Sequence, residues 1–170
     1  LNEDQLEQFV SKVKDNKING INVTVPFKRA IIPYLDKLSA EAQITQSVNT
    51  IYQENNKIIG HNTDIFGFQT SVEKTEYNLN NKEVLILGAG GVVPSIIFSL
   101  IKMKASKIKI SNRTKEKAEN LKKLFKDIEV IKWGEISNFD MIINATSLGL
   151  KKEDNLNFDF SSISGNKFFY

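Results

Sequence analysis

Hydrophobic positions fall into short helical and alternating runs as far as about residue 74, and into continuous apolar blocks after it. Leu6, Phe9, Val10 and Val13 stand at helical spacing, and the pattern lapses near Asn16. Ile21 to Val25 alternates as a strand that Pro26 ends, because proline donates no ladder hydrogen bond. The pattern predicts a helix from Phe27 through Leu38 with a break at Pro33. A short helix over Ala40 to Thr45 follows, with Ser39 as its N-cap. Val48 to Gln53 and Lys57 to Gly60 read as strands joined by an Asn55-Asn56 turn, and Ile65 to Glu73 as a helix carrying Phe66, Phe68 and Val72.

The polar, Asn-rich segment Thr75 to Lys82 marks a domain boundary, separating residues 1–74 from 75–170. Beyond it Val84-Leu85-Ile86-Leu87 is a short apolar run, as expected of a strand covered on both faces. An apolar helix reaches to about Met103, then come a strand over Lys107 to Ser111, a helix over Lys115 to Phe125, and strands at Glu129 to Ile131 and Met141 to Asn144. Strand and helix alternating at this spacing imply parallel strands with right-handed crossovers, hence an α/β fold with a Rossmann-like doubly wound sheet. Lys151 to Tyr170 has little periodicity, and no terminal element is predicted there.

Composition narrows the class. The 170 residues are 41% hydrophobic and 25% charged, the balance of a globular chain. The net charge is only +3 and the basic residues are scattered, so no nucleic-acid partner is expected. Apolar runs such as Ile96-Ile97-Phe98 are too short to cross a bilayer, so no membrane partner is expected either. The absence of cysteine rules out disulfides and thiolate metal sites, and it fits the reducing cytoplasm.

Gly88-Ala89-Gly90-Gly91 directly follows the predicted apolar strand and precedes a helix, the context a dinucleotide fingerprint requires. Gly88 suits the tight turn and Gly90 the close approach of backbone to a pyrophosphate, while Val93 stands where a third glycine or alanine is usual. Pro94 is tolerable in the first helical turn. An ordinary strand-to-helix turn is the plainer alternative. The next strand ends at Ser111-Asn112-Arg113-Thr114, with no acidic residue to hold a ribose 2′-hydroxyl. A guanidinium can fork onto a 2′-phosphate that a carboxylate would repel, so NADP(H) is expected over NAD. Lys115, Lys122 and Lys123 read as a solvated helix face.

Two polar clusters remain in the first half: Asn22-Val23-Thr24-Val25-Pro26-Phe27-Lys28 and Asn62-Thr63-Asp64, with Val48-Asn49-Thr50 between them. Taken singly, Asp64 could cap a helix, Lys28 could lie on the surface, and Asn49 could end a loop. His61 reads as structural or exposed, and no metal site is proposed. Taken together, NVTVPFK, VNT, GHNTD, GAGG, NRT and NATSLG, in this order, resemble the shikimate dehydrogenase family along nearly the whole chain.

The resemblance implies an N-terminal α/β substrate domain, 1–74, and an NADP-binding Rossmann-like domain, 75–170. It implies reversible NADPH-dependent reduction of 3-dehydroshikimate to shikimate on the route to chorismate and the aromatic amino acids, by a cytoplasmic monomer or homodimer. Lys28 and Asp64 would be the catalytic pair, and Asn22, Thr24, Lys28, Asn49 and Asp64 would contact the substrate. Gly88, Ala89, Gly90 and Gly91 would carry the cofactor, Asn112, Arg113, Thr114 and Lys117 its adenosine phosphate, and Ala145, Thr146 and Ser147 its nicotinamide half. Measured against the family pattern, both ends look cut short. Leu1 falls inside a helix, and the Ser-x-Ser carboxylate clamp, the C-terminal glutamine and the returning helix are missing, which implies weak substrate binding or inactivity. The alternatives are an enzyme of quinate using NAD or NADP, or a non-catalytic ligand sensor of the same fold.

Overall fold

The computed structural model describes residues 5–151, 153–154, 158–161 and 163–170; Leu1 and its expected helical setting lie outside them. Helix α1 (Leu6–Lys14) buries Leu6, Val10 and Val13, with Glu7 in its first turn and Lys12 and Lys14 in its last, in keeping with the helix dipole. It covers a sheet of β1 (Gly20–Asn22), β2 (Lys37–Leu38), β3 (Thr50–Glu54) and β4 (Lys57–His61), in spatial order β1-β3-β4-β2. The sheet is mixed: β1, β3 and β4 are antiparallel neighbours, and β2 adds to β4 in parallel. Asn55 and Asn56 both adopt positive φ, 50° and 59°, which fits a type I′ hairpin turn between β3 and β4.

The predicted helix over Phe27 to Leu38 does not form. Residues 25–31 make turns, Ile32–Tyr34 is a single 3₁₀ turn, and Leu35 is extended. Pro33 removes a donor and disfavours helical geometry at Ile32. Asp36 then docks on Ile58, its N–H donating to the Ile58 carbonyl and its carboxylate accepting from the Ile58 N–H, and this starts β2. Strand β1 is also shorter than expected, ending at Asn22, and Val25 is exposed. Helix α2 (Ala40–Thr45) has the expected bounds, and the Ser39 hydroxyl accepts the Ala42 N–H at 3.2 Å.

The second sheet contains β5 (Glu83–Leu87), β6 (Lys107–Ser111), β7 (Ile128–Ile131), β8 (Met141–Asn144) and β9 (Phe168–Phe169). Its order is β7-β6-β5-β8-β9, and every pair is parallel. Helices α4 (Val93–Lys102) and α5 (Lys115–Leu124) make the first two crossovers, so the winding reverses between β5 and β8. Strand β9 corrects the expectation that the last stretch holds no element: two residues are too few to show a period, but Phe168 and Phe169 register against Met141 and Ile142.

Leu85 and Leu87 face a core with Phe139 and Ile142, whereas Val84 and Ile86 face the larger cluster that includes Ile97, Leu100 and Ile110. That alternation explains why the run in β5 is apolar throughout. Helix α3 (Asp64–Glu73) packs on α4 and sends Phe68 and Val72 into this same larger cluster. Val93, at the start of α4, is fully buried there, and Pro94 occupies the first turn. No helix among the described residues is long and apolar enough to cross a membrane.

Candidate active site

At one end of the first sheet the backbone gathers three separate segments. The Val48 N–H donates to the Lys28 carbonyl at 2.9 Å, the Val23 N–H to the Asn49 carbonyl at 2.8 Å, and the Asn49 N–H to the His61 carbonyl at 3.0 Å. His61 thus contributes main chain here. The side chains converge as a result: Lys28 Nζ lies 2.6 Å from Asp64 Oδ2, and Asn49 Nδ2 donates to Asp64 Oδ1 at 2.8 Å. Asn49 Oδ1 accepts the Thr63 N–H at 3.0 Å. The ion pair is mostly shielded, with side-chain exposures of 13% for Lys28 and 22% for Asp64, yet one edge of each group remains open. Asp64 is the first residue of α3, but its carboxylate makes no cap; it faces Lys28 and Asn49 instead. Asn22 and Thr24 are exposed on the strand and loop leading to Lys28, and neither side chain joins this hydrogen-bonded cluster.

The second locus lies outside the carboxyl ends of β5, β6, β7 and β8, where a doubly wound sheet reverses and leaves a crevice. A groove of ≈ 240 Å³ there is lined by Gly88, Ala89, Gly90, Asn112, Arg113, Thr114, Lys117, Ala145, Thr146 and Ser147, together with Trp133 and Leu148. Gly88 is obligatory in its turn: φ is +107°, and a Cβ would meet the Ala145 carbonyl oxygen at 2.7 Å. Gly90 has open space before it, with nothing nearer a notional Cβ than 3.9 Å. The N–H groups of Ala89, Gly90, Gly91 and Val92 donate to no backbone or side-chain acceptor among the described residues. Four free amides at the mouth of α4, with the positive end of its dipole, form a site for an anion. Arg113 and Lys117 are exposed and make no ion pair with the described carboxylates. Asn112 partly serves the loop itself, its amide donating to the Thr114 carbonyl at 2.7 Å.

Gly91 is the one glycine-turn residue outside the groove lining. It lies towards the other locus, where a Cβ on it would stand 3.6 Å from Val25 Cγ2 and 3.9 Å from Lys28 Cδ. The anion site and the ion pair are therefore adjacent. Trp133 and Leu148 were not singled out from the sequence. Trp133 follows β7, and a position just past the carboxyl end of a parallel strand was the available signal. Asn144 organises the following loop, accepting from Thr146 and donating to the Leu148 carbonyl.

A reversing parallel sheet with a glycine turn, set beside a lysine–carboxylate pair on a separate mixed sheet, defines a two-sheet α/β protein of the dinucleotide-binding class. Residues 1–51 match the shikimate dehydrogenase substrate binding domain, and residues 70–151 match the family described as shikimate / quinate 5-dehydrogenase. The chain belongs to the shikimate dehydrogenase family. It is 59% identical over 170 residues to shikimate dehydrogenase (NADP(+)) of Pelagibacter ubique, covering 100% of this chain and 64% of that relative. The crystal structure of shikimate dehydrogenase from Aquifex aeolicus superposes with a TM-score of 0.89 at 40% identity, over 99% of this chain and 64% of that one. The Thermus thermophilus enzyme, solved in complex with NADP(H) and shikimate, superposes with a TM-score of 0.78 at 29% identity, over 88% of this chain and 56% of that one. The chain thus spans less than two thirds of the length of these relatives.

Proposed function

We propose that this chain carries the reacting centre and the nucleotide groove of an NADP-dependent shikimate dehydrogenase, reversibly reducing 3-dehydroshikimate to shikimate on the route to chorismate and the aromatic amino acids. Residues 1–74 form its substrate domain and 75–170 its NADP domain, acting in the cytoplasm as a monomer or homodimer. The observation that carries this reading is the placement of the Lys28–Asp64–Asn49 cluster directly against the glycine turn.

The groove suits a phosphorylated dinucleotide. Its amides take the pyrophosphate, and the two unpaired cations, Arg113 and Lys117, take the 2′-phosphate. When bound, NADPH supplies the hydride. The chain's own residues handle charge and proton: the Lys28 ammonium offsets negative charge developing on the ketone oxygen and donates the proton from Nζ. Asp64 keeps that ammonium in place and presents its open edge to a substrate hydroxyl, while Asn49 fixes Asp64 and adds uncharged contacts. Asn22 and Thr24, exposed beside the pair, reach the remaining hydroxyls, and Thr146 and Ser147 flank the nicotinamide side.

The test has two readouts. The chain's single tryptophan, Trp133, lines the groove, so its fluorescence reports nucleotide directly. NADP(H) is expected to change it at lower concentration than NAD(H). Turnover is followed by shikimate-dependent NADP reduction in a version extended at both ends with the matching segments of the Pelagibacter ubique relative. Shikimate is expected to outperform quinate. A tighter response to NAD overturns the cofactor assignment and favours the quinate enzyme. Ligand binding with no hydride transfer in the extended version overturns the proposal and favours a sensor.

A further inference from the structure

Asn62 belongs to neither the ion pair nor the groove, yet it is 2% exposed and its side chain makes four polar contacts. It sits between β4 and α3. Its Nδ2 lies 2.9 Å from Ser95 Oγ, 3.0 Å from the Ser47 carbonyl and 3.1 Å from Thr45 Oγ1. Its Oδ1 accepts the Asp64 N–H at 3.0 Å. Thr45 spends its own proton on the Glu41 carbonyl at 2.7 Å, which leaves its oxygen free to accept from Asn62. Ser95 is fully buried in the first turn of α4, the helix whose mouth forms the anion site.

Two further contacts run along the same seam. Ser47 Oγ donates to the Gly91 carbonyl at 3.3 Å, and Ser99 Oγ lies 3.3 Å from the Ile65 carbonyl. Polar groups buried between two packed helices cost stability unless all are partnered, and apolar side chains would fill the same space. What the polar seam adds is a fixed register. One amide side chain holds the backbone of the reacting carboxylate at one end and the glycine-turn helix at the other.

We propose that Asn62 is a positioning residue that couples nucleotide binding at the glycine turn to order at the Lys28–Asp64 pair, through its hydrogen bond to Ser95. This rests on the reading of the groove and pair given above. Local opening that frees the Asp64 N–H must break the Asn62 link, and with it the seating of the α4 N-terminus. A ligand on that N-terminus therefore suppresses the opening, since linkage between two sites is reciprocal.

The experiment measures amide hydrogen exchange at Asp64 in the 170-residue chain, with and without NADP+, while Trp133 fluorescence gives the dissociation constant. In the parent chain NADP+ is expected to slow exchange at Asp64 by about 5-fold or more. Ser95→Ala is expected to lose that slowing at saturating NADP+, with binding no tighter than in the parent chain. Thr45→Val deletes a buried hydroxyl that also meets Asn62 without crossing to α4, and it is expected to keep the slowing. If Ser95→Ala does not fold, the near-isosteric Ser95→Cys replaces it. Retention of the slowing in the Ser95 variant, or equal loss in Thr45→Val, overturns the coupling. A Trp133 that ignores NADP+ in the parent chain instead overturns the nucleotide reading, and the coupling with it.

Discussion

Lys28 is held twice, by its carbonyl against the Val48 N–H and by its ammonium against Asp64, so its placement depends on residues 20 and 36 positions away. Replacing it with alanine should leave the backbone contact and nucleotide binding intact. In the extended protein it should lower turnover by roughly 10²- to 10⁴-fold, the range for loss of a general acid. Near-normal turnover would remove Lys28 from the mechanism. Gly88 is a residue-scale constraint of another kind. Gly88→Ala combines a φ of +107° with a 2.7 Å approach to the Ala145 carbonyl. It should cost about 1–3 kcal/mol from the backbone alone, read as a lower denaturation midpoint, and should weaken the nucleotide response of Trp133. Of the site residues, the glycines and Lys28 were legible as types with a chemical purpose. That Asn49 would bind Asp64, and that Asn62 would not be a ligand contact, depended on which side each chain segment turned.

Among the elements, the agreement is closest where the local signal and the packing demand coincide. Helix α2 has a capping serine, and Ser39→Ala should lower stability by about 1 kcal/mol, measurable as a shifted urea midpoint with an unchanged slope. The failed helix over Phe27 to Leu38 shows the opposite case: apolar spacing there served a turn that packs Ile31 inward, and Asp36 was captured by β4. Tyr77 sits in the polar stretch that separates the two halves, yet its ring stacks on Phe168 of β9 at 4.5 Å. Burial, with the Asp140 charge second, raises its phenol above the ordinary 10.0. The folded state therefore favours the neutral phenol. That contribution is complete below the ordinary tyrosine value and is lost as pH rises through it toward the folded value. Tyr77→Phe should flatten the alkaline fall of stability above about pH 10, and an unchanged alkaline limb would place the effect elsewhere.

For the whole molecule, the two sheets are joined through α3 and α4 rather than only through the segment at 75–82. Phe68 and Val72 of α3 lie in the core of the second sheet, and Tyr170 donates to Ser71 Oγ at 2.8 Å. The groove is also a property of the assembled molecule, because Arg113 and Lys117 line it together with residues at the ends of the other strands. Arg113→Asp should weaken NADP(H) binding by about 10- to 100-fold, the equivalent of one charge-assisted hydrogen bond, and leave NAD(H) little changed. Equal losses for both nucleotides would mean that the residue does not read the 2′-phosphate.

By itself the sequence determined the order of strands and helices from β5 to β8, the glycine turn and the lack of an acid after β6. Those features are written in local period and residue type, and burial on both faces reinforces them. It also held the six motifs whose order marks the family. Tertiary structure alone decided that β2 and β9 exist, since two-residue strands are defined by their partners and have no period of their own. It alone placed Trp133 and Leu148 in the groove, and it alone made Asn62 a bridge to Ser95. The Asn62–Ser95 contact joins residues 33 positions apart, and no spacing along the chain encodes which side chains meet once two sheets have packed.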